Sequence, residues 1–189
     1  MKTKKEINSK LIKILLISGL FYAFAVGLFG PIYAMFVGRI GGDILDASGA
    51  WATFAIVNGT IVILFGKLGD KTFNKKYMVF FGFLIVALGT LGYLFVSAPI
   101  HLFFVQAILG LGMALVDPPW DALYGKAEDD GKEASEWSLW EGGQLIVGGI
   151  SAIIGGLIAT YFGFTTLFIT MFIFNCLAAA APLMLIKSK

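Results

Sequence analysis

Three carboxylates are the candidates for chemistry in this chain: Asp117 and Glu141 inside long apolar runs, the first with Asp121 one turn further along the same run, and Asp70 in a short basic turn between two others. An ionised aspartate at the centre of a bilayer span costs about 2.5–3.5 kcal/mol, so it needs either a partner or a role in binding a proton or cation. Read as a helix, Gln106, Gly110, Met113, Asp117 and Trp120 recur three and four residues apart and share one mildly polar stripe. Tyr22, Val26, Phe29 and Tyr33 form an aromatic counterpart. Glu141 shares a stripe with Trp137, Gln144 and Gly148 and is the second candidate for protonation; the alternative is a carboxylate that reaches water at the interface. Gln106, Asn58, Gln144 and Asn175 are expected to hydrogen-bond between packed helices. Trp51, Trp137 and Trp140, near span ends, are expected to anchor at the membrane interface.

Other chemistries lack their residues. There is no nucleophile with its base, no metal-ligand cluster and no phosphate-cradling loop. Cys176 is the one cysteine, so neither an intrachain disulfide nor a CxxC pair can form. The chain is expected to be no enzyme and to hold no cofactor and no metal. Its net charge of +2 resides in loops, no nucleic-acid motif is present, and no nucleic-acid partner is expected.

The elements that must position these side chains follow from composition. Of 189 residues, 58% are hydrophobic and 14% charged, and the mean hydropathy is +0.87. That balance defines an integral membrane protein whose partner is the lipid bilayer. Six spans are expected, at about residues 11–38, 49–69, 77–97, 100–124, 135–162 and 164–186, in a single domain covering residues 1–189. The basic stretch before residue 13 and Ala23-Phe24-Ala25 suggest a cleavable signal, but the apolar run continues too far, so an uncleaved first span is expected.

Placing the N-terminus, the 66–76 turn, the 126–136 loop and the C-terminus on one side collects all 14 basic residues there except Arg39. By the positive-inside rule that side is the cytoplasm, and both termini lie in it, with the cell membrane as the expected location. A shift of 89 positions lays residues 51–73 on 140–162 and matches Trp51 with Trp140, Gly59 with Gly148, Ile61 with Ile150, Gly66 with Gly155, Leu68 with Leu157 and Phe73 with Phe162. Three spans reverse the direction of travel, so repeat one (about 11–97) and repeat two (about 100–186) form an inverted pair. Such a construction is typical of secondary transporters.

The turn GKLGDKTFNKK completes the pattern. Gly66, Leu68, Asp70, Lys71 and Lys75 match the loop motif G-x-L-A-D-R-x-G-R-K-x, so the chain resembles one half of a major facilitator superfamily transporter; Phe73 and Asn74 depart from the motif. GLGMALVDPPWDAL and the glycine-rich fifth span are also similar to that family. The antiporter signature G-x-x-x-G-P-x-x-G-G is not matched, because Ser151 and Ala152 replace its glycine and proline. The resemblance implies an all-α membrane protein whose six transmembrane helices form a 3+3 inverted repeat, one half of the major facilitator fold.

It also implies a secondary active transporter of a small-molecule substrate, working by alternating access. Because the family has twelve spans, a parallel homodimer is expected, with proton-coupled efflux as one form of the activity. The alternative is an accessory, non-transporting membrane subunit that pairs with a related half. Tyr22, Phe29, Tyr33, Gln106, Met113 and Asp117 would line the cavity. Asp117 and Glu141 would couple a proton or cation, Asp117 having the alternative of a structural partner to the 66–76 turn. Gly66, Asp70, Lys71 and Lys75 would form a cytoplasmic gate, with Asp70 at the partner's helix starting near Ser135 and Lys71, Lys75 and Lys76 opposite Glu133 and Glu136.

Overall fold

Apolar runs in lipid find no water for their peptide groups, so each must close its own hydrogen bonds as a helix. The computed structural model describes residues 4–72 and 74–186, with side chains for 8–64 and 74–186. These form α1 (Lys4–Phe29), α2 (Tyr33–Arg39), α3 (Ile44–Thr72), α4 (Lys75–Gly92), α5 (Pro99–Ala127), α6 (Glu133–Tyr161) and α7 (Gly163–Ile186). No strand occurs among the described residues. Six spans are long and apolar enough to cross a membrane; α1 and α2 together make the first, Asn8–Arg39. Between them Gly30–Ile32 form one tight 3-10 turn, because Pro31 has no N–H to continue the ladder.

Local signals set several ends. Asp43 and Asp46 cap α3 reciprocally: each carboxylate accepts the other residue's backbone N–H at 3.0 Å. This starts the second span at residue 44, earlier than the apolar pattern implied. Asn74 caps α4 by accepting the Lys76 N–H at 3.1 Å. That gives a local reason for an asparagine where the transporter loop motif has a basic residue. Gly163 turns α6 into α7 with φ 81°, a conformation open to glycine and strained for other residues.

Helix α1 packs against α6 and α7, α5 packs against α3 and α4, α4 meets α7, and α1 touches α5. Exchanging the first three spans for the last three turns α1–α6 into α5–α3 and α1–α7 into α5–α4 and leaves α4–α7 and α1–α5 on themselves. Among the described residues, the lighter packing of α6 on α7 is not matched to the same extent between α3 and α4. Glycines permit the closest approaches. Gly155 of α6 sits on the Leu28 backbone of α1, and a Cβ at Gly110 of α5 would lie 2.6 Å from the Phe54 carbonyl of α3. In lipid, such packing and interhelical hydrogen bonds hold the bundle, since burying apolar surface away from apolar tails gains little.

One core cluster, near the termini, gathers Leu15, Phe83, Val116, Trp120, Tyr124 and Leu185. The other, at the far end, gathers Phe29, Phe36, Tyr93, Leu102 and Phe168, with Phe29 edge-on to Tyr93 at 5.1 Å and to Phe168 at 5.2 Å. Arg39 lies over the Phe164 ring, 5.6 Å from its centroid, and ties α2 to α7. The spans are unequally covered. In the apolar stretches of α3 and α6 only 6% and 11% of residues are buried, against 33–44% in the other four.

Candidate functional site

A first chamber lies beside the break between α1 and α2. Tyr22, Phe29 and Tyr33 from the first span, Gln106 and Met113 from α5, and Asn175 from α7 line a cavity of about 290 Å³. Trp51 and Phe54 of α3, and Thr90 and Tyr93 from α4 and the turn after it, complete the walls. No aspartate, glutamate, lysine, arginine or histidine is among its described lining residues.

Its polar atoms form two sets. Gln106 Nε2 donates to the Tyr93 hydroxyl at 3.1 Å, and the Tyr33 hydroxyl lies within reach of the Gln106 side chain but closes no bond of acceptable geometry. In the second set, the Thr90 hydroxyl gives its proton to the Val86 carbonyl at 2.8 Å. It can then only accept, and does so from Asn175 Nδ2 at 2.9 Å. This fixes which way the amide points, and Asn175 Oδ1 is left buried without a partner.

The second chamber, about 380 Å³, adjoins the first, and Tyr22, Val26 and Met113 wall both. It holds Asp117 and Asp121, one helical turn apart on α5, with Gln144 of α6 opposite. Asp117 is exposed to this opening. Beside the carboxylates the Trp120 ring stacks on Tyr124 at 4.9 Å and meets Trp140 at 4.6 Å. Trp120 Nε1 donates to the Leu15 carbonyl at 3.2 Å, fastening α5 to α1. Trp137, read from the sequence as an interfacial anchor, packs on Tyr124 at 5.1 Å, and Trp140 likewise turns inward, over Gly19.

The structure thus divides the residues selected from the sequence. Tyr22, Phe29, Tyr33, Gln106 and Met113 meet in the first chamber, whereas Asp117 lies in the second. Glu141 lines neither; it is exposed and accepts a hydrogen bond from Gln144 Nε2 at 2.7 Å. The side chains of Gly66, Asp70 and Lys71 lie outside the described residues, and Lys75 opens α4. Lys76 Nζ donates to the Leu185 carbonyl at 3.1 Å, joining α4 to the end of α7. The carboxylates expected to face the basic turn are engaged close by: Glu133 accepts the Gly131 N–H at 3.0 Å and Glu136 the Asp129 N–H at 3.3 Å. Both stand in the first turn of α6, where Asp70 of a partner was expected to act. Thr90, Tyr93 and Asn175 escaped sequence reasoning as cavity residues, because only packing brings α4 and α7 beside α1 and α5.

Six apolar spans around two adjoining chambers define a polytopic helical membrane protein with a partly polar interior. Over residues 15–189 the sequence matches the Major Facilitator Superfamily, and the chain belongs to that family. It is therefore a transporter of that superfamily. No curated protein matches the chain.

Proposed function

We propose that this protein is a secondary active transporter that moves a small solute by alternating access, as a parallel homodimer in which each copy supplies half of the route. Family membership supports the transport reading. The exchange symmetry of the helix packing supports a 3+3 inverted repeat within the single domain. The observation that carries the dimer is the bare surface of α3 and α6. On α6, Gly142, Gly149 and Gly156 repeat every seven residues with open space above them, flanked by exposed Ile146 and Ile153. A second copy laid on this face would approach closely along the whole helix.

The second chamber opens beside α6, so pairing would bring Asp117 toward the centre of the assembly. We assign coupling to Asp117, as the carboxylate of the chamber set deepest along α5, with protons as the coupling ion and efflux as the direction. The cell membrane is the location, with both termini and the gate residues Gly66, Asp70, Lys71 and Lys75 on the cytoplasmic side.

Flux of solute into liposomes under an imposed proton gradient tests the reading, with cross-linking through cysteines placed on α6 in the same preparation. Gradient-driven flux by cross-linked pairs supports it. Flux that requires a different added protein would make the chain an accessory half, and a purely monomeric species that transports would remove the dimer.

A further inference from the structure

Resting on the transport reading, we infer that the first chamber is the solute site and that it takes an uncharged, planar aromatic compound bearing an N–H or O–H donor, received by Asn175 Oδ1. Three observations meet here. The chamber presents six aromatic residues, Tyr22, Phe29, Tyr33, Trp51, Phe54 and Tyr93, whose faces suit a flat apolar ring. Among the described residues it offers no ionised side chain to balance a buried charge. It also holds an acceptor with nothing to accept from: Asn175 is 2% exposed, its Nδ2 is held by Thr90, and its Oδ1 is unmet.

Buried carbonyl oxygens are rarely left unsatisfied, and this one belongs to a residue that lines the cavity, although the atom itself has essentially no accessible surface. A donor on the solute would complete it. The Thr90 hydroxyl cannot turn to help, since its proton is committed to the Val86 carbonyl. The amide is therefore held from its Nδ2 side, and a donor reaches Oδ1 once the cavity wall shifts to expose that atom. The volume of about 290 Å³ sits at the small end of ligand cavities and suits a one- or two-ring compound. Solute and coupling carboxylate then occupy different chambers, separated by the shared wall of Tyr22, Val26 and Met113.

The test is calorimetric titration of the purified protein in lipid nanodiscs, blanked against empty discs, with indole, N-methylindole and tryptamine. Indole and N-methylindole differ in the N–H donor, and tryptamine adds an ammonium group. The expected result is that indole binds about tenfold more tightly than N-methylindole, that tryptamine binds more weakly than indole, and that Asn175→Leu brings indole down to the level of N-methylindole. Equal binding of the first two probes by the unaltered protein would overturn the proposal without any variant. So would tightest binding by tryptamine, or an indole preference that survives Asn175→Leu. The transport reading fails separately: indole discrimination without gradient-driven flux in liposomes removes that reading and leaves the site, whereas flux without discrimination does the reverse.

Discussion

The two chambers share Tyr22, Val26 and Met113 but differ in everything that governs electrostatics. The first has no ionised residue among its described lining and leaves Asn175 Oδ1 and the Tyr33 hydroxyl unmet. The second carries Asp117 and Asp121 and borders α6, a span the rest of the chain leaves bare. A neutral polar atom left unmet costs about 1–3 kcal/mol, which a single ligand donor can recover. An unmet carboxylate costs far more, and therefore belongs where water or a second body reaches it. The contrast teaches a separation of roles, with recognition inside one bundle and charge handling at its edge.

The largest test of that separation is Asp117→Asn. Gradient-driven flux is expected to fall by at least about tenfold, the effect of about 1.4 kcal/mol at the rate-limiting step. Indole binding in nanodiscs should change by less than about twofold, because the altered side chain lies beyond the shared wall. If flux persists and the protein unfolds more readily, Asp117 is a structural partner of its surroundings. If binding collapses with flux, the chambers act as one site.

Next in size is Met113→Ala, which thins the wall itself. Met113 is 6% exposed, and removing a buried side chain of this kind costs about 2–5 kcal/mol in soluble cores. The expected outcomes are a lower unfolding midpoint and weaker indole binding together with impaired flux. A variant that loses only one of the two activities would show that the wall belongs to that chamber alone.

The sequence made part of this division legible. Helical spacing put Tyr22, Phe29 and Tyr33 on one line and Gln106 and Met113 on another, and the fold brings both lines to one cavity. The same spacing joined Asp117 to Gln106, yet eleven residues of helix separate them by about 16 Å. A common face is therefore not a common place, and periodicity alone does not measure depth. Asn175 and Thr90 stand 85 positions apart, so their pairing exists only once α4 lies against α7. The asparagine could be read as a helix-packing group, which describes Nδ2; the unmet Oδ1 has no counterpart in the pattern. The turn of Trp137 and Trp140 inward was also hidden, because a tryptophan near a span end fits an interfacial belt as well as it fits a ring cluster.

A smaller effect is expected from Thr90→Val, which keeps the shape and removes the oxygen that orients Asn175. The lost bond to Asn175 Nδ2 is worth about 0.6–2 kcal/mol between helices in lipid. The freed amide can then present either end to the cavity, so the ratio of indole to N-methylindole binding should shrink by a few fold. The proton dependence of flux should stay as it was, since the second chamber is untouched. A shifted pH profile with an intact ratio would place Thr90 in the wrong chamber.

The smallest effect belongs to Glu141→Gln, and it ranks the two carboxylates that the sequence offered for coupling. Glu141 is exposed, lines neither chamber and is held by Gln144 at 2.7 Å. An amide in its place can still accept that hydrogen bond through its own oxygen, so the local geometry survives the loss of charge. An exposed charge of this kind is worth about 0–1 kcal/mol, and flux and its pH profile should change by less than about twofold. The comparison with Asp117→Asn is then between two conservative changes on neighbouring helices, one inside a chamber and one outside. If Glu141→Gln abolished gradient-driven flux while Asp117→Asn spared it, the coupling group would lie on α6, and the partner-facing surface rather than the second chamber would carry the charge.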